Sequence, residues 1–175
     1  MSFLYHRVPE NMQGTILYPL NELKSIYPDV YQTEVQKYEG REHIPTQTVF
    51  FLNCLWNDVL HLSALHPSEI TKAYATLGYE KKTTSYFEID PHTFEPEKTV
   101  VYLYSPRTKG VQPPENDFVP YNPDAIEQYA RFPQETLAYY KEMLSARKKP
   151  LLWHRVPHIL YKGAIDTKNL PSISV

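Results

Sequence analysis

The sequence predicts a single α+β domain over residues 1–175, built on a mostly antiparallel sheet that is split or bent and surrounded by helices. Three observations favour this fold class. The length of 175 residues suits one domain. The hydrophobic fraction of 42% and the charged fraction of 22% are ordinary for a globular chain. Short runs of strand formers occur along the whole chain, with stretches of helical periodicity between them.

Strand signals are runs of β-branched, aromatic and aliphatic residues bounded by turn-forming residues. We predict strands over 3–8, 48–52, 59–64, 83–89, 98–104, 151–165 and 172–175. Residues 54–65 also fit a helix, but a strand at 59–64 is favoured because Pro67 can then open the next helix. The alternating segments 83–89 and 98–104 flank a turn at Asp90 and Pro91, and we expect them to pair as an antiparallel hairpin.

Helix signals are apolar residues at three- and four-residue spacing, with characteristic residues at the ends. We predict helices over 16–23, 29–38 and 68–77, from 122 onward, and from 133 to the basic run at 147–149. Pro19 must break or restart the first of these helices. Asn122 and Pro123 form a strong helix start. Residues 105–121 contain four prolines and little periodicity, so we expect a long surface loop that borders the main cleft.

Charge and composition exclude several classes of protein. The net charge of −2 gives no overall attraction to nucleic acid or anionic lipid. The most apolar stretch, 49–65, is interrupted by polar residues, so we expect no membrane span. The first residues lack the pattern of a signal peptide, and Cys54 is the only cysteine, so we expect a cytoplasmic protein. Nothing in the sequence specifies an oligomeric state.

The seven histidines and Cys54 are the first candidates for chemistry. No two histidines have the spacing of a zinc motif, so we expect no metal site. Cys54, Asp58 and His61 are of the types that form a nucleophile, an orienting acid and a base. The apolar sequence around Cys54 nevertheless favours a buried, slowly reacting thiol. The five glycines are too far apart for a phosphate-binding loop, which excludes the common nucleotide-binding motifs.

Both ends of the chain carry short segments that resemble the ADP-ribosyltransferase fold. The opening Leu4-Tyr5-His6-Arg7, with Ile16-Leu17 after it, is similar to the first strand and helix of that fold. The ending at 157–166 and 173–175 looks like its last strands, in the DNA-targeting bacterial toxin branch (DarT-like) of the family. Residues 49–60 are loosely similar to the second strand region of that branch.

The resemblance implies NAD as a substrate and suggests roles for four residues. It implies that His6 bonds the ribose on the adenosine side and that the backbone of Arg7 holds the nicotinamide amide. The family's catalytic glutamate falls at His158, and Tyr161 in the same strand is a further candidate for cofactor binding. A neutral imidazole cannot supply the negative charge that stabilises an oxocarbenium-like transition state. The resemblance therefore implies binding of NAD or a related nucleotide with altered catalysis.

Two other functions fit the sequence. One is a non-enzymatic binding or interaction module with a cleft lined by Tyr and His, which the 15 tyrosines favour. The other is thiol hydrolase chemistry at Cys54. A pocket that joins His6 to His154 or His158 would support the nucleotide-binding hypothesis. An exposed aromatic patch without convergent polar groups would support the interaction module.

Overall fold

The computed structural model of the protein describes residues 2–105 and 111–175. The described chain forms short strands and four α-helices joined by 3-10 turns. The strands are β1 (Leu4–Arg7), β2 (Ile16–Leu17), β3 (Thr48–Val49), β4 (Cys54–Leu55), β5 (Leu60–Leu62), β6 (Ser85–Ile89), β7 (Thr99–Tyr102), β8 (Phe118–Pro120), β9 (His158–Tyr161), β10 (Ile165–Asp166) and β11 (Ser172–Ser174). The α-helices are α1 (Leu20–Ile26), α2 (Pro28–Val35), α3 (Pro67–Thr76) and α4 (Gln134–Ser145). The predicted α+β class is confirmed.

The strands form two main antiparallel sheets, in the orders β11-β6-β1 and β5-β9-β7-β8, and two short pairs, β2 with β10 and β3 with β4. The main sheets meet at one point, where Tyr5 and Ser63 exchange backbone hydrogen bonds of 2.8 and 3.1 Å. The predicted sheet, mostly antiparallel and split, is therefore confirmed.

The four-stranded sheet buries both of its faces, because successive side chains of a strand point to opposite sides. One face packs into a cluster that includes Leu60, Leu62, Val101, Ile159 and Tyr161. The other face packs into a cluster that includes Trp56, Val100, Tyr102, Phe118 and Leu160. This register decides which side of the molecule each residue of β9 can reach.

The helix α4 holds the segment before β9 in place. Thr136 Oγ1 donates a hydrogen bond of 2.7 Å to the carbonyl of His154. Tyr140, fully buried, donates its hydroxyl proton to the carbonyl of Leu152. The ring of His154 lies on that of Tyr139, with 3.9 Å between the centroids. None of the described helices is long and apolar enough to cross a membrane.

Residues 16–17 were expected in a helix and instead form strand β2. Ile16 pairs with Asp166 and Leu17 with Ile165. The reason is Pro19, which cannot lie inside a helix and takes the N-cap position of α1. Helical spacing of the apolar residues was therefore a misleading signal on the N-terminal side of this proline.

The predicted hairpin of 83–89 with 98–104 is wrong, although strands β6 and β7 exist within these segments. β6 pairs with β1 and β11, whereas β7 pairs with β8 and β9. The connection between them folds into two 3-10 turns that begin at Pro91 and Pro96, and it carries the chain from one sheet to the other.

Three further predictions are corrected in part. Of the loop expected over 105–121, residues 118–120 are strand β8, because Phe118 is a core side chain, and 106–110 lie outside the described residues. The strand expected over 48–52 ends at Val49, since Phe51 and Asn53 have positive φ angles of 67° and 47° in the turn to β4. Residues 152–155 form turns and the rest of 151–157 is irregular, so the strand expected from 151 begins only at His158.

Candidate functional site

The candidate site lies where the two main sheets separate. Because the N–H and C=O of Tyr5 point toward β5, those of Arg7, two residues later, point to the same edge. In the described part of the chain no backbone hydrogen bond joins Arg7 to β5. The strands β1 and β5 thus leave the peptide groups of Arg7 facing a gap, which we call the seam.

A cavity of about 120 Å³ opens at this seam, and we call it the histidine cavity. Its apolar wall comes from α1 and α2, with Leu20, Leu23 and Val30 among the lining residues. The polar lining residues are His6, Gln13, Glu34, Lys37, Asn57 and His61. An apolar pocket with a few convergent polar groups is the usual form of a small-molecule site.

Three imidazoles run from this cavity into the protein. His6 donates its Nδ1 proton to the carbonyl of Arg7 at 2.7 Å, and His61 donates its Nε2 proton to the carbonyl of Trp56 at 2.9 Å. His158 donates its Nδ1 proton to the carbonyl of Val156 at 2.7 Å. These acceptors fix the tautomer of each neutral ring, so the second ring nitrogen of each is an acceptor.

All three rings are neutral at pH 7. Burial lowers the pKa of His6 to about 4 and the pKa of His158 to about 4. Burial, with the neighbouring His158 as the next cause, lowers the pKa of His61 to about 3. The row can therefore accept hydrogen bonds from a ligand, but it offers neither a positive charge nor a strong base.

Of the four predicted site residues only His6 is among the described residues that line the histidine cavity, so this cavity does not join His6 to His154 or His158. His6 lines the histidine cavity, and the backbone of Arg7 borders the seam, while the Arg7 side chain binds Glu10 at 2.9 Å. The ring of His158 is 6.0 Å from that of His61, measured between centroids. His158 is thus one ring behind the cavity wall.

Tyr161 lies apart from the other three predicted residues. In β9 it faces the side of the sheet opposite to His158, in line with the alternation of a strand. Its hydroxyl donates a hydrogen bond of 2.8 Å to Glu95 Oε2. Tyr161 therefore has a structural partner and no contact with the histidine row.

Four lining residues had no signal in the sequence. Glu34 and Lys37 form an i,i+3 ion pair at 3.9 Å, which is the ordinary pattern of a helix surface. Tyr38 donates a hydrogen bond of 2.6 Å to Asn57 Oδ1, and both residues line the cavity. Only the packing of α2 against α1, and of α1 against the 3-10 turn at Trp56–Asp58, brings these residues to the site.

The residues Cys54, Asp58 and His61 do not form a catalytic relay. Asp58 accepts hydrogen bonds from Asn21 at 2.6 Å and from the backbone of Leu55 at 2.7 Å. Burial raises the pKa of the half-buried Cys54 thiol to about 11, so the thiolate is scarce at pH 7. Thiol hydrolase chemistry gains no support from this geometry.

Among the described residues no group of three His, Cys, Asp or Glu side chains is arranged to hold a metal ion. Comparison with protein-family models, with curated proteins and with solved structures finds no match. The function must therefore be argued from the site.

Proposed function

We propose that the chain is an ADP-ribosyltransferase-like protein that binds NAD or a related nicotinamide nucleotide, with the nicotinamide ring in the histidine cavity. The observation that carries this proposal is the seam, where the backbone N–H of Arg7 has no hydrogen-bond partner in the described part of the chain and the Arg7 carbonyl accepts the Nδ1 proton of His6. The carbonyl oxygen of a nicotinamide amide would accept a hydrogen bond from this N–H.

The size of the cavity supports a ring-sized ligand group. A cavity of ~150 Å³ lined by aliphatic and aromatic side chains accepts one benzene molecule. The histidine cavity, at about 120 Å³, matches one six-membered ring and is below the usual range for a whole dinucleotide. The rest of the nucleotide would lie outside the cavity, near its opening, where the side chain of Lys37 is 52% exposed and supplies a positive charge.

The tautomer of His6 determines which hydrogen bond this side chain can make to a ligand. Since its Nδ1 proton goes to the Arg7 carbonyl, Nε2 is the acceptor, and it would take a hydrogen bond from a ribose hydroxyl. Transferase chemistry would need a negative charge near the ribose, which the neutral His158 does not provide. We therefore propose nucleotide binding with altered catalysis.

The test is the affinity for nicotinamide and for NAD, measured by calorimetry on the wild-type protein and on His6→Ala. Loss of one hydrogen bond of ~0.5–1.5 kcal/mol predicts about threefold to tenfold weaker binding. The matched control is His92→Ala, because the His92 side chain is 59% exposed and lies outside the cavity. Absence of binding to the wild-type protein at millimolar concentration, or equal losses in both variants, would refute the proposal.

A non-enzymatic binding module is the second candidate. It is favoured by a row of rings behind the cavity: Tyr104 lies 5.4 Å from His158, and His154 follows at 6.4 Å from Tyr104, measured between centroids. These rings pack against one another, as a rigid recognition surface requires. Folded wild-type protein that binds neither nicotinamide nor NAD would make this candidate the better one.

A further inference from the structure

A second cavity lies at the far end of this ring row, and two arginines and one glutamate line it. Its volume is about 370 Å³, within the range of small-molecule sites. Two guanidinium groups line it, from Arg131 and Arg155, together with the rings of Tyr104 and Phe132. We call it the arginine cavity.

Neither guanidinium is neutralised within the described part of the chain. Arg131 and Arg155 have no ion pair and no side-chain hydrogen bond there. Among the described residues, Glu135 supplies the only carboxylate that lines the cavity; it lies in the first turn of α4, where the helix dipole stabilises a negative charge. The cavity therefore has an excess of positive charge and several unused donors.

The backbone at Arg155 is held on both sides by its neighbours. Its neighbour His154 is held by Thr136 and by the ring of Tyr139, and the next residue, Val156, is fully buried. Arg155 itself has a positive φ angle of 61°, and Tyr104 across the cavity has one of 57°. Such strained conformations persist where the surrounding packing imposes them.

We propose that the arginine cavity binds the phosphate group of a mononucleotide-sized organic phosphate. Paired guanidinium groups match the geometry of phosphate oxygens, and aromatic side chains give a flat ligand a surface on which to stack. The site is separate from the histidine cavity, and it does not depend on the proposed nicotinamide site.

The experiment uses AMP, adenosine and nicotinamide as probes, with calorimetry on the whole chain at low salt. AMP binds to the wild type, and adenosine, which lacks the phosphate, binds at least about tenfold more weakly, as expected for loss of charge-assisted hydrogen bonds. Arg155→Asn weakens AMP binding by about tenfold or more, and Arg131→Ala weakens it in the same direction. Asparagine is chosen because it tolerates a positive φ angle.

Arg147→Asn is the matched control. Arg147 has nearly the same backbone conformation, with φ 56°, but it follows the C-terminus of α4 and lines neither cavity. This variant keeps wild-type affinity for AMP. Glu135→Gln binds AMP about threefold more tightly, because the substitution removes a carboxylate that repels the phosphate group. Circular dichroism confirms that each variant is folded. Since Arg131 is exposed, Arg131→Ala keeps the test valid if Arg155→Asn does not fold.

Each outcome has a defined meaning. No AMP binding to the wild type, equal affinities for AMP and adenosine, or equal losses in Arg147→Asn and Arg155→Asn would overturn the phosphate site. Nicotinamide, which has no phosphate, reports on the histidine cavity alone, so its failure to bind would count against the proposed function and leave the phosphate site standing.

Discussion

We expect the free energy of unfolding to fall when the pH is lowered from 7 to about 5.5, mainly because of three histidines and not because of the carboxylates. His6, His61 and His158 have an ordinary pKa of 6.5 when unfolded and pKa values of about 4, 3 and 4 when folded. Below pH 6.5 the unfolded chain binds protons that the folded chain does not. The free energy of unfolding is therefore unaffected by these rings above pH 6.5, and it decreases as the pH falls from 6.5 toward 4.

The size of this effect follows from the pKa differences. One such histidine lowers the free energy of unfolding by about 1.2 kcal/mol between pH 7 and 5.5, so three lower it by up to ~4 kcal/mol. Because each ring keeps some contact with solvent, we expect a loss of about 2–4 kcal/mol. His154, whose pKa burial also lowers, acts in the same direction. The pKa of Glu95 is held below its ordinary 4.5 by Lys98 and Tyr161, so this carboxylate stays ionised over the range tested.

Urea denaturation at the two pH values measures the difference directly. His61→Gln keeps a donor for the Trp56 carbonyl and removes one titrating ring, so its pH-dependent loss should be smaller by about a third. His92→Gln, at an exposed position, should show the same loss as the wild type. A wild-type loss below about 1 kcal/mol would refute the inference that the three rings are buried and neutral.

Three further predictions concern single side chains. The half-buried Cys54 thiol, with its raised pKa, should react with iodoacetamide at pH 7 much more slowly than a free thiol does, and Cys54→Ala should leave nicotinamide affinity unchanged. Tyr161→Phe removes the hydrogen bond to Glu95, which should cost about 0.5–1.5 kcal/mol in urea denaturation; a loss of nicotinamide affinity would contradict the placement of Tyr161 across the sheet. Among the described residues Glu34 is the one carboxylate that lines the histidine cavity, and it pairs with Lys37 at 3.9 Å. We therefore expect the wild-type protein to hydrolyse NAD no faster than Glu34→Gln does, while nicotinamide binds to both; faster hydrolysis by the wild type would identify this carboxylate as a source of charge.

The sequence predicts most element types well where local signals agree with one another. Pro67 and Gly78 bound α3 as expected, and Asn122 caps the next helical turn by accepting a hydrogen bond of 3.0 Å from the backbone of Asp124. The sequence does not predict which strands pair with one another. β6 and β7 are neighbours in the chain but belong to separate sheets, because pairing depends on which surfaces are buried and not on the turn between the strands.

The geometry of the candidate site also could not be predicted from local sequence. His6 and Arg7 could be named from the first strand, but their importance comes from the seam. The seam exists because the two strands are bridged only at Tyr5 and Ser63 and are separate on the side where β1 continues to Arg7 and β5 precedes Ser63. No local pattern encodes such a divergence.

The second cavity shows that the charge balance at one site can differ from the net charge of the sequence. A net charge of −2 argues against anion binding for the molecule as a whole. A binding site responds to the few charges within about a Debye length of it, ~8–10 Å at physiological salt. Among the described residues that line the arginine cavity, the charged groups are two guanidinium groups and one carboxylate. Affinity for a phosphate group is therefore compatible with an acidic chain, and its dependence on ionic strength should follow the local charge and not the total.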